Sequence, residues 1–295
     1  MSEQSKGLKT MSAKLCVVFP GIGYHCDKPL LYYGQKLARA RGYEIVRTSY
    51  TKSGIVLNKS KLAEGLTLGL SMIQDALKDV NFTEYDEVLF LSKSIGTAIA
   101  AAYEEETGVH DNCRVFRHVM FTPLEITYDH VLDGCGIAFS AHEDQWADFE
   151  KVKDLSRIHR IPLFEYPNGN HSLETGDVKT DLATMTDVMG HVADYLDGKM
   201  TVNTPEEETP LSAREQAVLD SYALEDAFLR ASAEPAPKRT EEDTTEAVED
   251  TRRAYIRSML AEGYDVTNIA YFIDESEDYV RSVMKEEGLT EHLLY

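Results

Sequence analysis

From residue 14 to about residue 198, short β-branched or aromatic runs alternate with longer stretches whose apolar positions recur at helical spacing. That alternation marks a mostly parallel sheet with helices on both faces, an α/β fold. The runs predict six strands: Leu15 to Phe19, Tyr43 to Thr48, Glu87 to Leu91, Arg117 to Phe121, Gly136 to Ser140 and Pro162 to Tyr166. Between the second and third, Leu62, Leu66, Leu70, Ile73 and Leu77 form one apolar helix face, a core stripe rather than a binding site. After the third strand, Gly96, Ala98, Ala100, Ala101 and Ala102 predict a helix of little side-chain bulk, as close packing on a central strand requires.

Beyond residue 198 the pattern changes. Residues 199–250 read as an acidic linker rich in Thr, Glu and Pro, interrupted by one expected helix over 211–230 that opens with the capping-box pair Ser212 and Glu215. Residues 251–295 predict three short helices, carrying Ile256 and Leu260, then Ile269, Ala270 and Ile273, then Val280 and Val283 behind a Ser276 cap. Their spacing resembles a helix-turn-helix. Residues 1–13 are polar and expected to be flexible.

Charge limits what that last module can be. The net charge of -21 divides into -7 over residues 1–200 and -14 over 201–295, and residues 251–295 carry -4. A recognition helix containing Glu277, Asp278, Glu286 and Glu287 would meet phosphates with the wrong sign. A nucleic-acid reading rests on Arg252, Arg253, Arg257 and Arg281, and contact with a protein partner fits the acidic balance better. There is no apolar run long enough to span a membrane and no hydrophobic leader, so the expected compartment is the cytoplasm. Cys16, Cys26, Cys113 and Cys135 are far apart without a CxxC pair, and His142-Glu143 fits no HExxH motif. Free thiols and no metal are the expectation.

The chemistry concentrates where the third strand ends. Ser92-Lys93-Ser94-Ile95-Gly96 places small residues two positions either side of a serine, between a strand and a helix. This is the pattern of a nucleophile elbow. A serine hydroxyl needs a histidine to take its proton, and the histidine needs a carboxylate to hold its tautomer. Asp144 follows the fifth strand and His171 follows the sixth, each in a loop at a strand end, with Glu143 and Asp148 close enough to Asp144 to compete. Lys93 could suggest a Ser-Lys dyad, but neighbouring side chains on an elbow diverge and His171 is the better base. Amides for the oxyanion are expected from Ile95 and, in the glycine-rich loop Pro20-Gly21-Ile22-Gly23, from Ile22. Tyr24, Leu124 and Trp146 are candidates for substrate contact.

Together FPGIGY, SKSIGT, AHEDQWAD and GNHSLE resemble the α/β-hydrolase superfamily, in particular small cap-less bacterial hydrolases of the dienelactone-hydrolase-like kind, over residues 14–198. The resemblance implies Ser94 as nucleophile, His171 as general base, Asp144 as orienting acid and Ile22 with Ile95 as oxyanion donors. It further implies a small-molecule ester or thioester substrate, no cofactor and an open site without a lid. Two departures stand out: Ser92 replaces the commoner glycine, and Pro20-Gly21 replaces the usual His-Gly. A non-catalytic adaptor and a ligand-responsive regulator that binds DNA are the alternatives from other classes.

Overall fold

The computed structural model describes residues 13–50, 62–200, 216, 219, 252–253, 256–257, 259–260, 266–273 and 275–289. Strands β1 (Lys14–Phe19), β2 (Tyr43–Arg47), β3 (Glu87–Lys93), β4 (Val115–Phe121), β5 (Ile137–Ala141) and β6 (Leu163–Tyr166) form one six-stranded sheet. Its order is β2-β1-β3-β4-β5-β6 and every pairing is parallel. Parallel neighbours need long crossovers, and helices α1 (Pro29–Ala40), α2 (Leu62–Leu77), α3 (Ile95–Thr107), α4 (Phe149–Ile158) and α5 (Val178–Leu196) interleave with the strands.

The apolar runs read as they do because both sheet faces are covered. In β1, Leu15, Val17 and Phe19 enter one core while Cys16 and Val18 enter the other. Helices α2, α3 and α4 close the first face; α1 and α5 close the second. Burial separates the predicted stripe of α2 into Leu66, Ile73 and Leu77, which are buried, and Leu62 and Leu70, which are partly so. The alanine run of α3 lies wholly inside, as its small side chains allow.

The chain runs outward from β1 to β2, then returns to place β3 on the other side of β1. Loops leaving the carboxyl ends of β1 and β3 therefore diverge, and the crevice between them is where open α/β sheets bind ligands. Strand β3 extends two residues beyond the expected Leu91 because Ser92 and Lys93 pair with Met120 and Phe121 of β4. Ser94 follows at once.

One buried group has no such explanation. His118 on β4 is fully buried against Phe90 and Phe116, and neither ring nitrogen has a hydrogen-bond partner among the described residues. Burial drives its pKa from 6.5 down to about 3. The folded state keeps this ring neutral while the unfolded chain protonates it, so stability present above pH 6.5 is lost as pH falls toward 3. We predict that His118→Leu flattens this acid limb, retaining roughly 3 kcal/mol more than wild type at pH 4. Urea melts at pH 7 and pH 4 check it; an unchanged difference between the two pH values would refute the assignment.

Toward the C-terminus, α6 (Val266–Ile273) and α7 (Glu277–Glu287) share a small core of Ile256, Met259, Leu260, Val266, Ile269, Val280 and Val283. Ser276 caps α7, its hydroxyl accepting the Tyr279 N–H at 3.1 Å. The helix-turn-helix expectation is not supported, and the charges that its DNA reading needs are engaged within the module. Arg252 meets Glu275, Arg253 meets Glu286, Arg257 meets Glu287 and Arg281 meets Glu277. Of the expected 211–230 helix, Gln216 and Leu219 are described; both are helical, and Leu219 packs on the core beneath the first sheet face. The expectations for residues 1–12 and for the rest of the linker lie outside the described residues.

Cys16, Cys26, Cys113 and Cys135 are free thiols. Among the described residues no helix is long and apolar enough to cross a membrane.

Candidate active site

Ser94 stands between β3 and α3 with φ 57° and ψ -131°, a conformation that costs a non-glycine residue on the order of 1–3 kcal/mol. Its surroundings hold it there. The Ser94 N–H donates to the Phe121 carbonyl at 3.0 Å, and Thr97 donates to the Ser94 carbonyl through its N–H at 2.8 Å and its hydroxyl at 2.7 Å. Thr97 and Thr127 share a further 2.6 Å hydroxyl contact that ties the helix start to the segment after β4. The two small residues of the elbow serve different ends. Ser92 is fully buried with its hydroxyl donating to the Val119 carbonyl at 3.3 Å, whereas Gly96 is required by contact: a Cβ there would lie 2.3 Å from the Pro20 carbonyl oxygen.

His171 arrives on the loop after β6. His171 Nε2 lies 2.7 Å from Ser94 Oγ, and its Nδ1 lies 2.7 Å from Asp144 Oδ2. A carboxylate at Nδ1 keeps the proton on that nitrogen, which leaves Nε2 free to accept from serine. Asn170 shapes this loop: its side-chain oxygen accepts the Ser172 and Glu174 N–H groups at 2.7 and 3.1 Å, an Asx turn that presents the intervening residue.

Asp144, rather than either of its acidic neighbours, is the carboxylate brought to His171. Asp144 is buried, and its other oxygen accepts the Trp146 N–H at 2.8 Å. Glu143 is exposed. Asp148 is the N-cap of α4, accepting the Glu150 and Lys151 N–H groups at 3.1 and 3.2 Å. Burial alone would raise the Asp144 pKa, but the His171 hydrogen bond and charge, the Trp146 amide and the Lys93 ammonium together bring it below the ordinary value. His171 is held below its ordinary value by burial and by Lys93, against the upward pull of Asp144.

The loop after β1 closes the crevice. Gly21 and Tyr24 exchange backbone hydrogen bonds of 3.0 and 3.3 Å around Ile22 and Gly23. A Cβ on Gly21 would come within 3.1 Å of Ser94 Cβ, so this turn lies against Ser94. Ile95 is the first residue of α3, where a helix leaves amides without an intrahelical acceptor. Tyr50, for which the sequence offered no signal, is buried and donates its hydroxyl to the Pro20 carbonyl at 2.6 Å, fixing the loop from behind.

The three candidate pocket residues separate. Leu124 is 1% exposed and belongs to the core; Tyr24 is 5% exposed, with its hydroxyl accepting the Leu30 N–H at 3.0 Å. Trp146 is partly exposed, with its ring centroid 6.3 Å from that of His171. Among the described residues no group of three or more His, Cys, Asp or Glu could hold a metal ion.

The parallel sheet, the elbow after its third strand and the crevice beside it constitute the α/β-hydrolase fold. No family model matches the chain, and no curated protein matches it. Solved structures do resemble it. Est1E from Butyrivibrio proteoclasticus shares 12% identity over 63% of this chain and 89% of its own, at TM-score 0.47. An α/β serine hydrolase without a lid from Xanthomonas campestris shares 14% over 66% of this chain and 85% of its own, at TM-score 0.46. An α/β serine hydrolase homologue from Coxiella burnetii shares 13% over 62% of this chain and 85% of its own, at TM-score 0.45.

Proposed function

We propose that this protein is a serine hydrolase that cleaves a small-molecule ester or thioester by acyl transfer to water. The observation that carries the reading is the unbroken relay from Asp144 through His171 to Ser94 at a strained elbow. Ser94 Oγ attacks the carbonyl carbon as its proton passes to His171 Nε2. The Ile22 and Ile95 amides receive the oxyanion, each such donor being worth about 100- to 1000-fold in rate. His171 then gives its proton to the leaving group, and in the second half-reaction it activates the water that frees Ser94. Every group in this cycle comes from the chain, so no cofactor is invoked. Trp146, partly exposed beside His171, is the residue best placed to touch substrate. The acid aligned behind His171 favours this reading over a non-catalytic adaptor.

A fluorophosphonate probe tests it. The folded wild-type protein is expected to be labelled at Ser94, identified by peptide mass, and Ser94→Ala is expected to abolish labelling. Folded wild type that resists the probe would overturn the proposal.

A further inference from the structure

Ser94 is not the only strained residue at this edge of the sheet. Thr122, the first residue after β4, has φ 43° and is fully buried. The left-handed region is an outlier for a β-branched residue, and Pro123 behind it adds its own bias toward extended backbone. The side chain does not compensate, since Oγ1 has no hydrogen-bond partner among the described residues. Backbone bonds on either side hold the turn instead. The Thr122 N–H donates to the Phe139 carbonyl of β5 at 2.7 Å, while the carbonyl one residue earlier, on Phe121, accepts the Ser94 N–H at 3.0 Å. Past the turn, the Thr127 and Thr97 hydroxyls meet at 2.6 Å, and Glu125 Oε1 accepts the Asp148 N–H at 2.7 Å. Residues 121–127 are thus bonded on one side to the elbow of Ser94 and on the other to the strand and loop of Asp144.

We propose that Thr122 is a positioning residue, the stiff joint of a brace that fixes the Ser94 elbow against the Asp144 loop. A β-branched residue has one narrow well at positive φ, so the turn is either in it or flipped out of it. Glycine would roam the whole positive-φ range, with less strain and less definition. That definition matters because the relay joins Asp144, His171 and Ser94 from three separate loops through 2.7 Å contacts, and a misplacement of about 1 Å costs about 100-fold in rate. The branched shape does this; the hydroxyl does not.

The effect on rate rests on the serine-hydrolase reading, whereas the brace itself can be read from the Asp144–His171 bond. Thr122→Val keeps the shape and is expected to label with fluorophosphonate near the wild-type rate. Thr122→Ala and Thr122→Gly differ by one methyl group, and only glycine escapes the positive-φ penalty. Thr122→Gly is therefore expected to melt at higher urea than Thr122→Ala yet to label about tenfold more slowly. In NMR of the full chain, the low-field resonance of the His171 Nδ1–H stays sharp in Thr122→Val and broadens in Thr122→Gly. Glu125→Ala, at a partly exposed side chain, frees the far end of the brace and broadens the same resonance, which Glu125→Gln restores by still accepting the amide. That pair carries the test should position 122 tolerate no change. A Thr122→Gly protein that labels as fast as Thr122→Ala, or is less stable than it, overturns the proposal, as does a resonance unmoved in the folded Thr122→Gly or Glu125→Ala protein. Wild type that resists the probe while its resonance still depends on Thr122 would defeat the hydrolase reading and leave the brace standing.

Discussion

Asparagine at position 144 is expected to lower kcat about 10,000-fold while leaving KM and the fold near wild type, whereas Asp148→Asn should change kcat by no more than a small factor. The difference follows from what each carboxylate holds. Asp144 Oδ2 receives the Nδ1 proton of His171 at 2.7 Å, and its second oxygen is already committed to the Trp146 amide. With Trp146 still bonded to the side-chain oxygen, an asparagine turns its amide N–H toward Nδ1. The imidazole then moves its proton to Nε2 and can no longer accept from Ser94. The geometry survives; the tautomer does not. Asp148 instead caps α4, and asparagine caps a helix as well as aspartate does. Asp148→Ala should therefore cost about 1 kcal/mol of stability with little effect on rate. Steady-state kinetics on an activated ester, with circular dichroism to establish folding, separate these outcomes. Equal rate losses in Asp144→Asn and Asp148→Asn would remove the basis for assigning the acid.

The candidate site was legible in sequence to the extent that it depends on strand ends. The strand before Ser94, the glycine-rich turn after β1 and the two loops carrying Asp144 and His171 all announce themselves by apolar runs that stop at small or polar residues. The register within the acid loop was not legible, because Glu143, Asp144 and Asp148 differ only in where the chain turns after Ala141. Backbone bonds set that turn: the His142 and Glu143 amides donate to the Tyr166 and Gly169 carbonyls at 3.2 Å each, tying the acid loop to the loop of His171. Tyr50 and the burial of Lys93 escaped notice for another reason. Tyr50 and Pro20 are separated by 30 residues, and their contact exists only once β1 and β2 are paired. Burial of Lys93 contradicts the usual fate of its residue type, so composition points away from it. In the C-terminal module, periodicity located helices but could not reveal that Arg253 and Glu286, far apart in sequence, neutralise each other.

The elbow's dependence on close backbone contact leads to the largest stability effect expected from a single methyl group. Alanine is normally better than glycine in a helix by about 1 kcal/mol, and Gly96 lies in α3 without a positive φ, so propensity alone favours Gly96→Ala. Contact decides otherwise. The added Cβ would meet the Pro20 and Phe19 carbonyl oxygens at 2.3 and 2.5 Å. These are backbone atoms with little freedom to yield, since Phe19 is paired beside Ser92 and the Pro20 carbonyl is held by the Tyr50 hydroxyl. Relief requires α3 to move away from β1 or the loop to move off Ser94. We expect a loss of about 3 kcal/mol. Labelling of Ser94 should fall as well, because the displaced loop carries Ile22. Gly190→Ala on α5 supplies the control: its Cβ meets nothing within 4 Å, so the same change should stabilise by roughly 0.5–1 kcal/mol. Urea melts of both variants against wild type read the two signs together. A Gly96→Ala protein as stable and as reactive as wild type would mean that the crevice between β1 and β3 is looser than these contacts require, and with it the preorganised oxyanion loop would have to be abandoned.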